Sequence, residues 1–162
     1  MPEFFLSTDM VDEKSRNAFW QEVSELIYEV SPVGVDGQAG MIGTIRSRLF
    51  DTMVLGDTTF NDQICRRTPE MIARTNLDIC LLQLVLSGEY TGDFDGTSVH
   101  VQPGDMFFMD LTKVLDSRKE AGARVTLAIP RFEMDKWFPA KDVHGLVLSR
   151  NLKSIRCCSI LF

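Results

Sequence analysis

The chain is poor in the groups that most catalytic chemistry uses. Its 162 residues hold two histidines, His100 and His144, with no His-x-His or His-x-x-His pair. A single strand histidine cannot supply the three protein ligands of a catalytic metal site, so no metal and no other cofactor is expected. No G-x-S-x-G elbow, G-x-G-x-x-G turn or P-loop occurs. Ser98, His100 and Asp105 could be drawn as a Ser-His-acid set, but no nucleophile elbow supports it, and an enzyme is not expected. The four cysteines are Cys65, Cys80, Cys157 and Cys158. None forms a C-x-x-C pair, and the adjacent Cys157 and Cys158 are not a disulfide framework. A reduced, cytoplasmic setting follows.

Other absences narrow the partners. "MPEFFLSTDMVDEK" has no basic stretch leading into an apolar run, so a secretory signal is not expected. No stretch of about 18 apolar residues occurs, so no membrane span is expected. Basic charge is outweighed, with 17 Lys and Arg against 23 Asp and Glu and a net charge of −6. A surface of that sign repels phosphate backbones, so specific DNA binding by this chain is not expected.

What is present reads as one mainly β domain with an N-terminal helix. Residues 7–30 carry a helical stripe of Phe19, Val23, Leu26, Ile27 and Val30, with candidate caps at Ser7 to Asp9 and stops at Pro32 and Gly34. "SPVGVDGQAG" is a glycine-rich connector, and residues 1–40 form this first segment. From Met41 the period changes to two. "GTIRSRLF" sets Ile45, Ser47 and Leu49 against Arg46, Arg48 and Phe50, and "TMVLGDTTF" and "DQICRRT" continue the alternation. "PEMIART" reads as a short helix with Pro69 at its first position. "DICLLQLVLSG" is apolar on both faces apart from Gln83, which marks a central strand. Turns fall at Asp95-Gly96, Pro103-Gly104 and Ala121-Gly122. The strand region, residues 41–132 with roughly eight to ten strands, ends near Pro130. "FEMDKWF" gives one or two helical turns in a last segment, 133–162.

Polar residues inside the strands are the candidate ligand groups. Gln83 needs hydrogen-bond partners in an apolar strand, and either a bound ligand or a neighbouring strand can provide them. Arg66 and Arg67 point to opposite faces because a strand alternates. The inward one favours an anionic ligand, and an inter-strand ion pair is the alternative. Cys65 and Cys80 read as buried hydrophobes. Arg131 reads as a structural strand-end residue. Asp105 follows the Pro-Gly corner and is expected to tie its own turn.

Seven stretches in order carry a resemblance. They are "STD" with Arg16 and Trp20, "LGD" (Leu55 to Asp57), "RRT" (Arg66 to Thr68), "LQLVLSGE" (Leu82 to Glu89), "VQPGDMFFMD" (Val101 to Asp110), "IPR" (Ile129 to Arg131) and "HG" (His144, Gly145). Over about residues 5–150 the chain resembles the N-terminal sensor domain of AraC-type transcriptional regulators, the AraC-binding-like group. The resemblance implies a cupin-like, jelly-roll β-barrel that binds an unidentified small-molecule effector and helps two subunits pair. Pro103, Gly104 and Asp105 would then be the cupin turn, kept as a mark of the fold. Phe107 or Phe108 on the strand after it would touch the effector. In that family a C-terminal pair of helix-turn-helix motifs reads DNA. It is not expected in this chain, whose tail "NLKSIRCCSILF" departs from the family. A homodimer, or pairing with a full-length regulator, is the expected association. The alternatives are a cupin-type metal-dependent enzyme and a ligand-free barrel filled by side chains such as Met106 to Met109.

Overall fold

Strand patterning of period two governs the molecule, and its inward positions build one sandwich. A computed structural model describes residues 3–34 and 40–151. The adjacent Cys157 and Cys158 and the tail from residue 152 lie outside the described residues. In chain order the elements are β1 (Glu3–Ser7), α1 (Arg16–Ser24), β2 (Glu29–Pro32), β3 (Gly43–Phe50), β4 (Met53–Phe60), β5 (Gln63–Arg67) and α2 (Pro69–Thr75). Then follow β6 (Ile79–Ser87), β7 (Tyr90–Phe94), β8 (Thr97–Val101), β9 (Met106–Asp110), β10 (Leu115–Lys119), β11 (Gly122–Pro130), α3 (Arg131–Trp137) and β12 (Val147–Leu148). One sheet has the order β1-β3-β4-β11-β6-β9-β12 and the other β2-β5-β10-β7-β8. The strand pairs are antiparallel. This is the expected jelly-roll architecture, built as two facing sheets that do not close into one continuous barrel.

Several local signals act as expected. β6 lies between β11 and β9, which explains its apolar faces. Thr68 caps α2 by accepting from Met71 N–H, with Pro69 in the first turn. Asp95 and Gly96 both take positive φ, 53° and 89°, between β7 and β8. Gly104 has φ +93° in the Pro103-Gly104 corner, a conformation that suits a residue without Cβ. Asp105 N–H donates to Gln102 O at 3.0 Å, closing the turn. The Asp105 carboxylate accepts from Gln102 N–H and from Arg150 N–H, each at 3.0 Å. Arg131 binds Asp78 and Asp110 at 2.8 and 2.7 Å, a structural role.

The N-terminal expectation needs correction. The helix covers nine residues, not 7–30. Of the candidates Ser7 to Asp9, Ser7 does cap, but only a single 3-10 turn; Asp12, outside that set, caps a second one ahead of α1. Beyond Ser24, Ile27, Tyr28 and Val30 are β-branched or aromatic, which suits a pleated strand. Val30 therefore pairs with Cys65 in β2–β5, and Leu26 is left exposed. Short edge strands β1, β2 and β12 bring the described total above the expected eight to ten.

Three apolar clusters form. Between the sheets, one is built around Tyr90, Phe94 and Phe107. At the other end lie Trp20, Val30, Met41, Phe60 and Cys65. The third, with Cys80, Phe108, Ile129, Met134 and Val143, sits where α3 covers the outer face of the large sheet. Trp20 anchors α1 by donating from Nε1 to buried Gln63 Oε1 at 3.1 Å. Its ring lies directly over Gly43. A Cβ there would come within 2.5 Å of Trp20 Cη2, so this seating of the helix needs glycine at position 43.

Candidate functional site

A cavity of about 240 Å³ lies beneath α1, against the inward face of the large sheet. Its origin is legible strand by strand. The inward residues include Ser47 on β3, Gly56 and Thr58 on β4, and Thr126 and Ala128 on β11. These side chains are too small to meet the helix, so space remains. Trp20, Val23, Ile27, Ile45 and Phe60 give the walls an apolar character. The volume falls just below the roughly 300–1,000 Å³ of sites for drug-sized ligands, so an occupant would be small.

Beside the hydroxyls of Ser24, Ser47, Thr58 and Thr126, four larger polar groups line this space: Tyr28, Gln83, Lys119 and Arg124. They form one connected set. Gln83 Nε2 donates to Tyr28 Oη at 3.4 Å, and Gln83 Oε1 accepts from Arg124 Nη1 at 3.1 Å. The Arg124 guanidinium lies over the rings of Tyr90, Phe60 and Phe107 at 4.3, 5.0 and 5.6 Å from their centroids. Lys119 Nζ lies 4.1 Å from the Phe60 centroid and 5.7 Å from that of Tyr28. Both cations are buried, Lys119 at 6% exposure and Arg124 at 4%. Among the described residues no carboxylate pairs with either. Arg124 Nε is buried and donates to nothing there. Burial disfavours the charged forms. It pulls Lys119 down to about 8 and pushes the Tyr28 phenol up to about 12.

The residues singled out from sequence are dispersed. Gln83 lines the cavity and carries the network above. The two arginines do face opposite ways. Arg66 points to solvent and pairs with Asp116 on the neighbouring strand at 3.0 Å. Arg67 is the inward one, but it does not line the cavity. Its guanidinium donates to the carbonyls of Leu111, Leu26 and Ile27 at 2.7, 3.0 and 3.0 Å and to Thr75 Oγ1 at 2.9 Å. Those bonds tie the end of α1 and the end of α2 to the sandwich. Phe107 is fully buried in the inter-sheet cluster and is not among the cavity-lining residues, though the Arg124 guanidinium lies over its ring. Phe108 faces the other way, under α3. Pro103, Gly104 and Asp105 shape a corner and lie outside the cavity lining. His100 is exposed with Glu89 at 2.8 Å, apart from the turn that Asp105 ties. Cys65 and Cys80 are buried and free. Among the described residues no three His, Cys, Asp or Glu side chains cluster as a metal site requires, and no helix is long and apolar enough to cross a membrane.

Lys119 and Arg124 escaped the sequence reasoning. They flank the Ala121-Gly122 turn, where cations ordinarily face water. The signal was present in phase: Lys119 follows Leu115 and Ser117 on one face of β10, and those two are buried.

No protein-family model matches the chain, and no curated protein matches it. Solved structures do. The AraC-like transcriptional activator CuxR superposes with a TM-score of 0.82 at 20% identity, over 99% of this chain and 59% of that one. The chain shares the fold of the matched part of that activator. It spans 59% of that activator's length, the N-terminal part. Two further structures overlap partially. An RmlC-like cupin from Shewanella frigidimarina has a TM-score of 0.42 at 14% identity, over 64% of this chain and 84% of that one. KdgF from Halomonas sp. has 0.40 at 14%, over 60% and 84%.

Proposed function

We propose that this chain is the effector-sensing part of an AraC-type transcriptional regulator, acting in the cytoplasm without catalysis. The cavity beneath α1 takes a small organic molecule, and that binding is the signal. The observation that carries this reading is the lining itself. Small inward residues leave open space, and four polar groups converge on it from different elements. A cavity with a few convergent polar groups in an apolar wall is the usual form of a ligand site. Edge strand β1, with Phe4 and Phe5 exposed, offers a place for a second copy, and sedimentation across protein concentration would detect such pairing. Specific DNA recognition is not assigned to these residues. Weak, salt-sensitive association with duplex DNA is the expected result.

The alternative of a side-chain-filled barrel is tested by melting temperature. A ligand that binds only the native state raises Tm by mass action. A panel of small organic molecules should contain compounds that raise the wild-type Tm and leave Ala128→Phe, whose ring fills the cavity, unmoved. Equal shifts in both proteins, or none in either, would contradict the assignment.

A further inference from the structure

We propose that the effector is a small organic anion, one carboxylate on a flat apolar body, with Arg124 and Lys119 as its counter-charges. The proposal rests on the assignment of the cavity as an effector site and names the chemistry that the site selects.

The argument begins with uncompensated charge. A protein of net charge −6 has carboxylates to spare, yet none reaches these two cations among the described residues. Taking an ion out of water is costly, and a partner ordinarily repays it. Aromatic faces repay only part. Arg67 shows how this fold treats a structural cation: four oxygens receive its guanidinium. Arg124 receives one, Gln83 Oε1, and its Nε is left buried without an acceptor. Gln83 Nε2 turns to Tyr28 Oη, so the phenol's own proton remains available to a further acceptor. Among the described residues, Arg124, Lys119 and the Tyr28 phenol thus bring to the cavity more donors than the described hydrogen bonds use, and a carboxylate supplies acceptors and charge together.

The geometry also limits the ligand's body. Position over the Tyr90 and Phe60 rings restrains the Arg124 guanidinium, which pre-organises its fork for an oxyanion. Trp20, Val23, Ile45 and Val54 give the same cavity apolar walls. An inorganic anion would leave those walls unmatched. A neutral molecule would leave the cations unmatched.

The test compares acids with their neutral isosteres on the full chain. Acetate, benzoate and phenylacetate are titrated by calorimetry at pH 7 against acetamide, benzamide and phenylacetamide, with inorganic phosphate as a separate arm. At least one aromatic acid should bind at least about tenfold more tightly than its amide, the equivalent of one charge-assisted hydrogen bond. Lys119→Met and Arg124→Met should each remove that preference, so that acid and amide bind within about twofold of each other. Two variants are used so that a folding defect in one leaves the other informative, and circular dichroism checks both. Amides binding as well as acids would overturn the anion assignment and leave the effector cavity standing. So would an acid preference that survives in both variants, or phosphate binding as tightly as the aromatic acids. Binding of neither acids nor amides would overturn the anion assignment and count against the cavity as an effector site too.

Discussion

Lys119→Met should stabilise the unliganded protein, an unusual outcome for replacing a buried side chain in a strand. Burial lowers the Lys119 pKa from 10.5 to about 8. At 1.36 kcal/mol per pH unit that difference is about 3 kcal/mol of preference for the neutral amine. The groups facing it are Tyr28, Phe60, Cys65 and Arg124, so nothing nearby offsets the charge with a carboxylate. Below pH 8 both folded and unfolded chains carry the proton, and the folded state bears the full cost. Between pH 8 and 10.5 the folded chain has released the proton and the unfolded chain still holds it, so the cost fades as pH rises. Methionine keeps the length of the side chain and removes the charge. It forfeits the cation–π contact with Phe60, worth about 0.5–2 kcal/mol. The net expected gain at pH 7 is about 1–2 kcal/mol, or roughly 2–8 °C in Tm for a chain of this size. Urea denaturation of both proteins at pH 7 and pH 10 is the assay, and most of the gain should be gone at pH 10. A variant less stable than wild type at pH 7, or a gain that does not change with pH, would refute the claim that this lysine is held against its own solvation.

The opposite sign is expected at Arg67. Arg67→Met strands the carbonyls of Leu26, Ile27 and Leu111 and should cost about 3–5 kcal/mol in chemical denaturation, whereas Arg66→Ala, at an exposed pair, should change stability by under about 1 kcal/mol. Acid should act through His144, which packs beside Asp110, Lys113 and Asp142. Its Nδ1 accepts from Asp110 N–H at 3.0 Å, and Nε2 lies 2.9 Å from Val114 O, an arrangement that suits the neutral ring. Burial lowers its pKa below 6.5. The unfolded chain then binds the proton first, so stability should fall as pH drops below about 6.5. Urea midpoints between pH 7 and 5 measure this, and the slope should shrink in His144→Asn. Asp105→Ala should lower stability by about 1–3 kcal/mol by freeing Gln102 N–H and Arg150 N–H, with the acid-over-amide preference unchanged.

Local chemistry made much of the fold legible. Asp95-Gly96 and Pro103-Gly104 dictate their turns from the backbone conformations those residues favour. "CLLQLVL" announces a strand covered on both faces. At the N-terminus Val23, Ile27 and Val30 satisfy one helical spacing, but the helix ends at Ser24, and pairing with β5 draws Val30 into a strand. The site was less legible. Gln83 was reached because an amide in an apolar strand demands partners. Arg67 faces inward as alternation requires, but the three carbonyls that consume it come from segments distant in sequence. Phe107 and Phe108 show the same limit, since strand period alone does not tell which face meets the cavity and which meets α3. Lys119 and Arg124 flank a hairpin turn and read as solvent-facing. The phase of Leu115 and Ser117 points Lys119 inward, and the placement of β10 and β11 beside Phe60 brings both cations to the cavity.

Trp20 offers the most direct measurement. It lines the cavity at 1% exposure, while Trp137, the other of two tryptophans, is 73% exposed. In a Trp137→Phe background, Trp20 emission can be followed as an aromatic acid such as benzoate or phenylacetate is titrated. If the cavity beneath α1 is an effector site, the emission changes saturably with one ligand per chain, and the change disappears when Ala128→Phe is added. A linear, unsaturable response, or the same response with the cavity filled, would contradict it.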